Sequence, residues 1–265
     1  MLSTIPFAED LTTSPVQLGS ISGLYFTGPD SHSDTALLYL HGGAYVIGSA
    51  QGYRSLAAEL GRAAGASCYA IDYRLAPEHP FPAAVEDAVE AYKAMLLGGL
   101  SPAKIAIAGD SAGGGLALAA LIALRDQGLP MPAAALLISP WADLTCTAVS
   151  LTKKADEDPS LTAAGLRATA DLYLAGASAN DPRASPIFAD LAGLPPILIQ
   201  VGTSEILLDD ALKVSKRAAL SGVDTHLRVW PEMIHVWHAF AFMLPEGRAA
   251  ISEAGAFLQT HLAQR

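Results

Sequence analysis

The chain has 265 residues, enough for one large α/β domain or such a domain with a small lid. Hydrophobic residues make up 51% and charged residues 16%, which excludes a disordered chain and predicts a sizeable dry core. The formal net charge is -10 and the basic residues cluster nowhere beyond Lys153-Lys154, which argues against nucleic acid or an anionic membrane as partner.

In chain order, the opening Met1-Leu2-Ser3-Thr4-Ile5-Pro6 lacks the basic and apolar regions of a secretion signal. Short β-type runs follow at 20–26, 35–40, 67–72, 104–109, 133–139, 197–201 and 225–230. Helical spacing occupies 53–64, 83–97, 112–127, 207–220 and 247–262. Gly65, Gly98-Gly99, Gly128 and Gly222 stand where helices should stop. Apolar strands alternating with helices predict an α/β fold, a mostly parallel sheet with helices on both faces. From Trp141 to about Leu194 the alternation breaks, leaving polar loop and one helical piece over 162–174. An insert there would lie over the C-terminal edge of the sheet, where ligands bind, so it is expected to act as a lid. No repeat or low-complexity linker marks a second domain. Apolar runs such as 116–124 are too short to span a bilayer. Cys68 and Cys146 stand apart and fit no metal spacing, so a reduced, cytoplasmic protein is expected.

Between the run at 104–109 and the helix at 112–127 the chain reads Gly109-Asp110-Ser111-Ala112-Gly113. A G-x-S-x-G match gains meaning in this strand–turn–helix context, where small residues permit a sharp turn with the serine at its tip. Acyl chemistry then needs a base, an acid to orient it, and donors for an oxyanion. His32 and His79 lie in polar loops, while His226 and His261 fall at surface positions on a strand and a helix. His41 precedes the serine. His235 and His238 remain, just past the strand ending at Trp230; His235 is favoured because it falls in the loop itself, and His238 stays as second candidate. The loop after 197–201 offers Glu205, Asp209 and Asp210 as the acid. Glu205 lies nearest the strand end, whereas acidic residues in a first helical turn are favoured by the dipole alone. Backbone amides of Gly42, Gly43 and Ala112 are the expected oxyanion donors.

Several of these segments, in this order, resemble the hormone-sensitive-lipase family of α/β-hydrolases, the bacterial family IV esterases. His41-Gly42-Gly43-Ala44-Tyr45 is similar to its oxyanion loop, with alanine for the usual third glycine. Residues 72–83, Asp-Tyr-Arg-Leu-Ala-Pro-Glu-His-Pro-Phe-Pro-Ala, resemble its signature loop, and Gly109 to Gly114 its nucleophile elbow. Ser139-Pro140-Trp141 and the segment around His235 also fit, so the likeness covers roughly residues 35 to 262. Two departures stand out. Glu205-Ile206-Leu207 replaces the family's usual Asp-Pro-Leu at the acid, a position where some members use glutamate. The arm before His41 looks short for two lid helices, so residues of about 1–20 and 141–194 are expected to form a small lid over an open acyl pocket.

The resemblance implies a carboxylesterase that acts on short-chain acyl esters through an acyl-enzyme, with Ser111, His235 and Glu205 as the triad. Lactone or aryl-amide hydrolysis would use the same residues. A non-catalytic receptor is the remote alternative, since the family resembles plant gibberellin receptors that lost the histidine. No cofactor or metal is implied. The expected partner is a small ester, and a homodimer is left open.

Overall fold

The computed structural model describes residues 5–263. Eight strands follow one another as β1 (Thr12–Leu18), β2 (Ile21–Thr27), β3 (His32–Leu40), β4 (Ala66–Ile71), β5 (Ile105–Asp110), β6 (Ala134–Ile138), β7 (Ile197–Gly202) and β8 (Thr225–Trp230). The helices are α1 (Arg54–Ala63), α2 (Ala83–Leu97), α3 (Ala112–Asp126), α4 (Ser150–Lys153), α5 (Ala163–Leu174), α6 (Leu208–Leu220) and α7 (Pro245–Leu262). The strands form one sheet in the order β1-β2-β4-β3-β5-β6-β7-β8. Pairing is antiparallel from β1 to β4 and parallel from there to β8. This is the mostly parallel, helix-covered sheet that the alternating pattern predicts, in the α/β-hydrolase arrangement that the resemblance implies.

Alternate residues of the central strands enter different cores, as the two-residue period of a strand requires. Leu38, Leu40, Ile105, Ile107 and Leu137 pack with residues of α2 and α3 on one face. Leu37, Tyr39, Ala106, Ala108 and Leu136 pack with α1 and α7 on the other. Both faces are dry, which is why these strands read as continuous apolar runs. The register sets Leu40 beside Gly109, Asp110 beside Ile138, and Gly202 beside Trp230. His41, Ser111, Ser139, Thr203 and Pro231 therefore all follow strand ends on one edge of the sheet.

Two expectations change. Residues 12–18, expected in a lid, form the edge strand β1, at the other side of the sheet from β7 and β8. Its Thr-Thr-Ser-Pro-Val-Gln-Leu sequence is mostly exposed, with only Leu18 buried, so it lacks a clear apolar alternation. Backbone pairing holds it there, and Pro15 is tolerated because the strand is an edge. Phe7 packs on Phe26 at 6.0 Å and Ser55 donates to the Ile5 carbonyl, so residues 5–11 lie along the α1 face. Residues 1–4 of the expected lid lie outside the described residues. His32, expected in a loop, opens β3 and remains exposed.

The 141–194 segment carries no strand and packs inward rather than standing loose. Thr162 accepts the Gly165 amide as N-cap of α5, and Leu166, Ala170, Tyr173 and Leu174 join the main core. Tyr173 stacks on Tyr45 at 3.9 Å, and its carbonyl accepts the Phe81 amide.

α3 is buried along almost its whole length and starts against the end of β3. A Cβ at Gly113 would run into the carbonyl oxygens of Leu40 and His41. Gly113→Ala is therefore expected to cost about 1–3 kcal/mol, read as a lower urea midpoint. Unchanged stability would mean that α3 is not seated this closely.

Candidate active site

Ser111 links β5 to α3 with φ 55° and ψ -122°, a conformation unusual for any residue but glycine. Its amide donates to the Ile138 carbonyl at 2.8 Å and its carbonyl accepts the Trp141 amide at 2.9 Å, which pins the turn to the end of β6. The side chain is turned out of the helix start and lies beside His235. The Ser111 Oγ donates to His235 Nε2 at 2.9 Å, and His235 Nδ1–H donates to Glu205 Oε2 at 2.9 Å. Serine, histidine and glutamate come from the loops after β5, β8 and β7, and the register of the sheet is what brings them together.

Glu205 is fully buried and held at its other oxygen. Oε1 accepts the Gly202 amide at 2.6 Å and the Ser139 hydroxyl at 2.9 Å. Ser139 Oγ in turn accepts the amide of Val236 at 3.3 Å, joining the acid loop to the base loop. Thr203 and Ser204 donate their amides to the Trp230 and Met233 carbonyls and zip the same two loops along their backbones. Glutamate's extra methylene is thus accommodated by an acid loop tied on both sides. Burial alone would push the His235 pKa down, but the hydrogen bond and charge of Glu205 outweigh it, with Asp158 and Asp110 adding to the lift. The net result lies above the ordinary 6.5.

His238, the second candidate base, is directed away. It lies in a 3-10 turn, Trp237–Phe240, where it donates Nε2–H to Gln200 Oε1 at 2.8 Å. Burial and the neighbouring His235 push its pKa down to about 3, so it stays neutral. The two aspartates serve the backbone. Asp209 accepts the Ser150 amide, and the buried Asp210 accepts those of Ala142 and Asp143.

One expected oxyanion donor is otherwise engaged. Gly42 gives its amide hydrogen to Asp110 Oδ1 at 2.9 Å, and the same oxygen accepts the Tyr39 hydroxyl at 2.5 Å. The loop turns after Gly42: Gly43, Ala44 and Tyr45 all have positive φ, 118°, 53° and 65°. The amides of Gly43 and Ala44 have no acceptor among the described residues, and Ala112 opens α3 with its own amide unpaired. The amides left free in this loop are therefore those of Gly43 and Ala44, not that of Gly42. Burial pushes the Asp110 carboxyl up to about 6, against the Tyr39 and Gly42 hydrogen bonds and the pull of His235. Asp110 and Ser139 were not singled out from the sequence. Their signal was their place inside the elbow and the Ser139-Pro140-Trp141 motif, whereas their partners are 71, 68 and 66 residues away.

Residues 37–239 match a family described by the alpha/beta hydrolase fold. An acetyl-hydrolase of Streptomyces hygroscopicus is 53% identical over 232 residues, spanning 88% of this chain and 78% of that protein. A crystal structure of an esterase from the bacterial hormone-sensitive lipase family superposes with TM-score 0.97 at 47% identity, covering 98% of this chain and 88% of the other. EstE5, in crystals soaked with p-nitrophenyl butyrate, superposes with TM-score 0.96 at 49% identity, covering 99% and 90%.

The two histidines should separate in a titration followed by NMR. His235 is expected to titrate above 6.5 and His238 to remain neutral down to about 3. Glu205→Gln should move the His235 midpoint down. A His235 midpoint below 6.5 in the unsubstituted protein would contradict the ion-pair geometry.

Proposed function

The chain belongs to the hormone-sensitive-lipase family of α/β-hydrolases and is a carboxylic ester hydrolase; on that premise we propose that it cleaves short-chain acyl esters with Ser111, His235 and Glu205. The observation that carries the assignment is the unbroken chain of two 2.9 Å hydrogen bonds from Glu205 through His235 to Ser111.

In this reading His235 Nε2 takes the proton of Ser111 as Oγ attacks the ester carbonyl. The carbonyl oxygen gains the electron pair, and the amides of Gly43, Ala44 and Ala112 receive it, assisted by the N-terminal dipole of α3. Collapse of the intermediate breaks the bond to the alcohol, whose oxygen recovers the proton from His235 Nε2. Water then gives a proton to the same nitrogen and attacks the acyl carbonyl; collapse of this second intermediate breaks the Oγ–acyl bond, His235 Nε2 returns the proton to Ser111 Oγ, and the carboxylic acid leaves. Glu205 keeps its charge throughout, fixing the tautomer that leaves Nε2 free to accept. Tyr173 of the 141–194 segment, stacked on Tyr45, supports reading that segment as a wall of the site within one domain. Preference for short acyl groups is supported by the acetyl-hydrolase relative and by the butyrate ester used with EstE5.

A series of p-nitrophenyl esters tests the substrate class. Each methylene must find burial of about 0.8 kcal/mol to be favoured, so kcat/KM is expected to peak by about six carbons. A steady rise toward long chains would contradict it, and Ser111→Ala should remove turnover of all of them.

The acid is tested separately. Glu205→Gln should lower kcat by about 10⁴, because the imidazole is no longer held in its tautomer. Asp209→Asn retains an oxygen for the Ser150 amide and should keep most activity. The reverse pattern would move the acid to Asp209.

Neutral His235 is required, so kcat/KM should be lost as pH falls through a midpoint above 6.5 and level off at higher pH. A flat profile across that range would remove His235 as the base.

A further inference from the structure

Of the peptide unit that follows Glu205, the carbonyl accepts the Leu208 amide of its own loop at 3.4 Å, whereas the amide is held by the 141–194 segment. Asp158 Oδ2 accepts the Ile206 amide at 2.8 Å, across 48 residues of sequence. Its Oδ1 accepts the amides of Ser160 and Leu161 at 2.8 and 3.0 Å, and the carboxylate is buried. These backbone amides are its hydrogen-bond donors among the described residues; the nearby Lys154 is paired with Glu157. The carbonyl of Ile206 is fastened too, since Ser150 Oγ donates to it at 2.6 Å and accepts the Asp209 amide. Ile206 itself is fully buried.

We propose that Asp158, with Ser150 beside it, is a positioning residue for hydrolysis: it locks the Glu205–Ile206 peptide so that the Glu205 carboxylate meets His235. This rests on the reading of Glu205 as the orienting acid. The physical reason lies in the glutamate. Its carboxylate has one more freely turning bond than an aspartate, so the same aim needs a more firmly held backbone. Gly202 and Ser139 fix one carboxylate oxygen, but neither fixes the backbone on the helix side of Glu205. Asp158 supplies that restraint with a charge-assisted hydrogen bond made where water is excluded. The segment expected only to cover the site thereby becomes part of its frame.

A double-mutant cycle separates this role from simple support of the fold. Asp158→Ala is expected to lower kcat about 10- to 100-fold with KM changed by less than about twofold. In a Glu205→Gln background the same substitution should lower kcat by no more than about twofold, because the acid it aims is already gone. A full multiplicative loss in that background, with Glu205→Gln alone strongly impaired, would overturn the positioning role and leave the acid assignment standing. Wild-type kcat in Glu205→Gln alone would overturn the acid assignment and the positioning role with it. Ser150→Ala, which releases only the Ile206 carbonyl and the Asp209 amide, should fold even if Asp158→Ala does not. It is expected to lose about fivefold in kcat, also only when Glu205 is present. Unchanged kcat in Ser150→Ala, or a loss of thermal stability alone in folded Asp158→Ala, would count against the proposal.

Discussion

The turn at Ser111 holds a non-glycine residue at φ 55°, a backbone state that costs about 1–3 kcal/mol and persists only when its surroundings enforce it. Enforcement comes from both sides. The ends of the turn are hydrogen-bonded to Ile138 and Trp141, and the first turn of α3 is pressed against the carbonyls at the end of β3. A residue with a Cβ at Gly109 would meet the backbone of Gly113, so the strand and helix can approach this closely only because both positions lack one. That approach sets the Ser111 hydroxyl, the free amide of Ala112 and the loop after Leu40 around one point. The rest of the site is arranged to meet them there.

Buried carboxylates do the arranging, and they are satisfied in three different ways. Glu205 has an imidazole, an amide and a hydroxyl. Asp110 ties Tyr39 of β3 to Gly42, with no cationic partner in hydrogen-bond contact among the described residues. Among the described residues, Asp158 and Asp210 are hydrogen-bonded by backbone amides alone, which is enough to keep a buried acid from being an unpaired cost. The resulting lattice holds the hydrogen-bonded chain of Glu205, His235 and Ser111 through residues that do not touch the serine. Because amides and hydroxyls surround these carboxylates in a dry interior, small displacements are resisted more strongly than in an exposed loop.

The 141–194 segment shows how an insert can brace two loops at once. Its helix α5 lends Tyr173 to the stack on Tyr45, in the positive-φ turn that follows β3. Its preceding loop lends Ser150 and Asp158 to the acid loop. Both sides of the site are therefore anchored to one stretch of chain without a strand in it. Its polar, proline-containing sequence looks like loop because its role is carried by side-chain-to-backbone bonds rather than by periodic burial.

Local physics made much of this legible in the sequence. Apolar period and glycine placement gave the strands from β2 to β8 and the long helices to within a few residues, because burial on two faces leaves a strong pattern. Edge strand β1 leaves none, being exposed and held by backbone pairing, so residues 12–18 do not read as a strand. The small residues around Ser111, and the position of His235 and Glu205 just past strand ends, sufficed to bring serine, histidine and glutamate onto one list. Which oxygens and amides meet was decided only by tertiary structure. Gly42 and Gly43 look equivalent in sequence, yet Asp110, from the neighbouring strand, claims the amide of one and leaves the other free. Likewise nothing local links Asp158 to Ile206, since a hydrogen bond spanning 48 residues depends on where the sheet register and the packing of α5 place two loops.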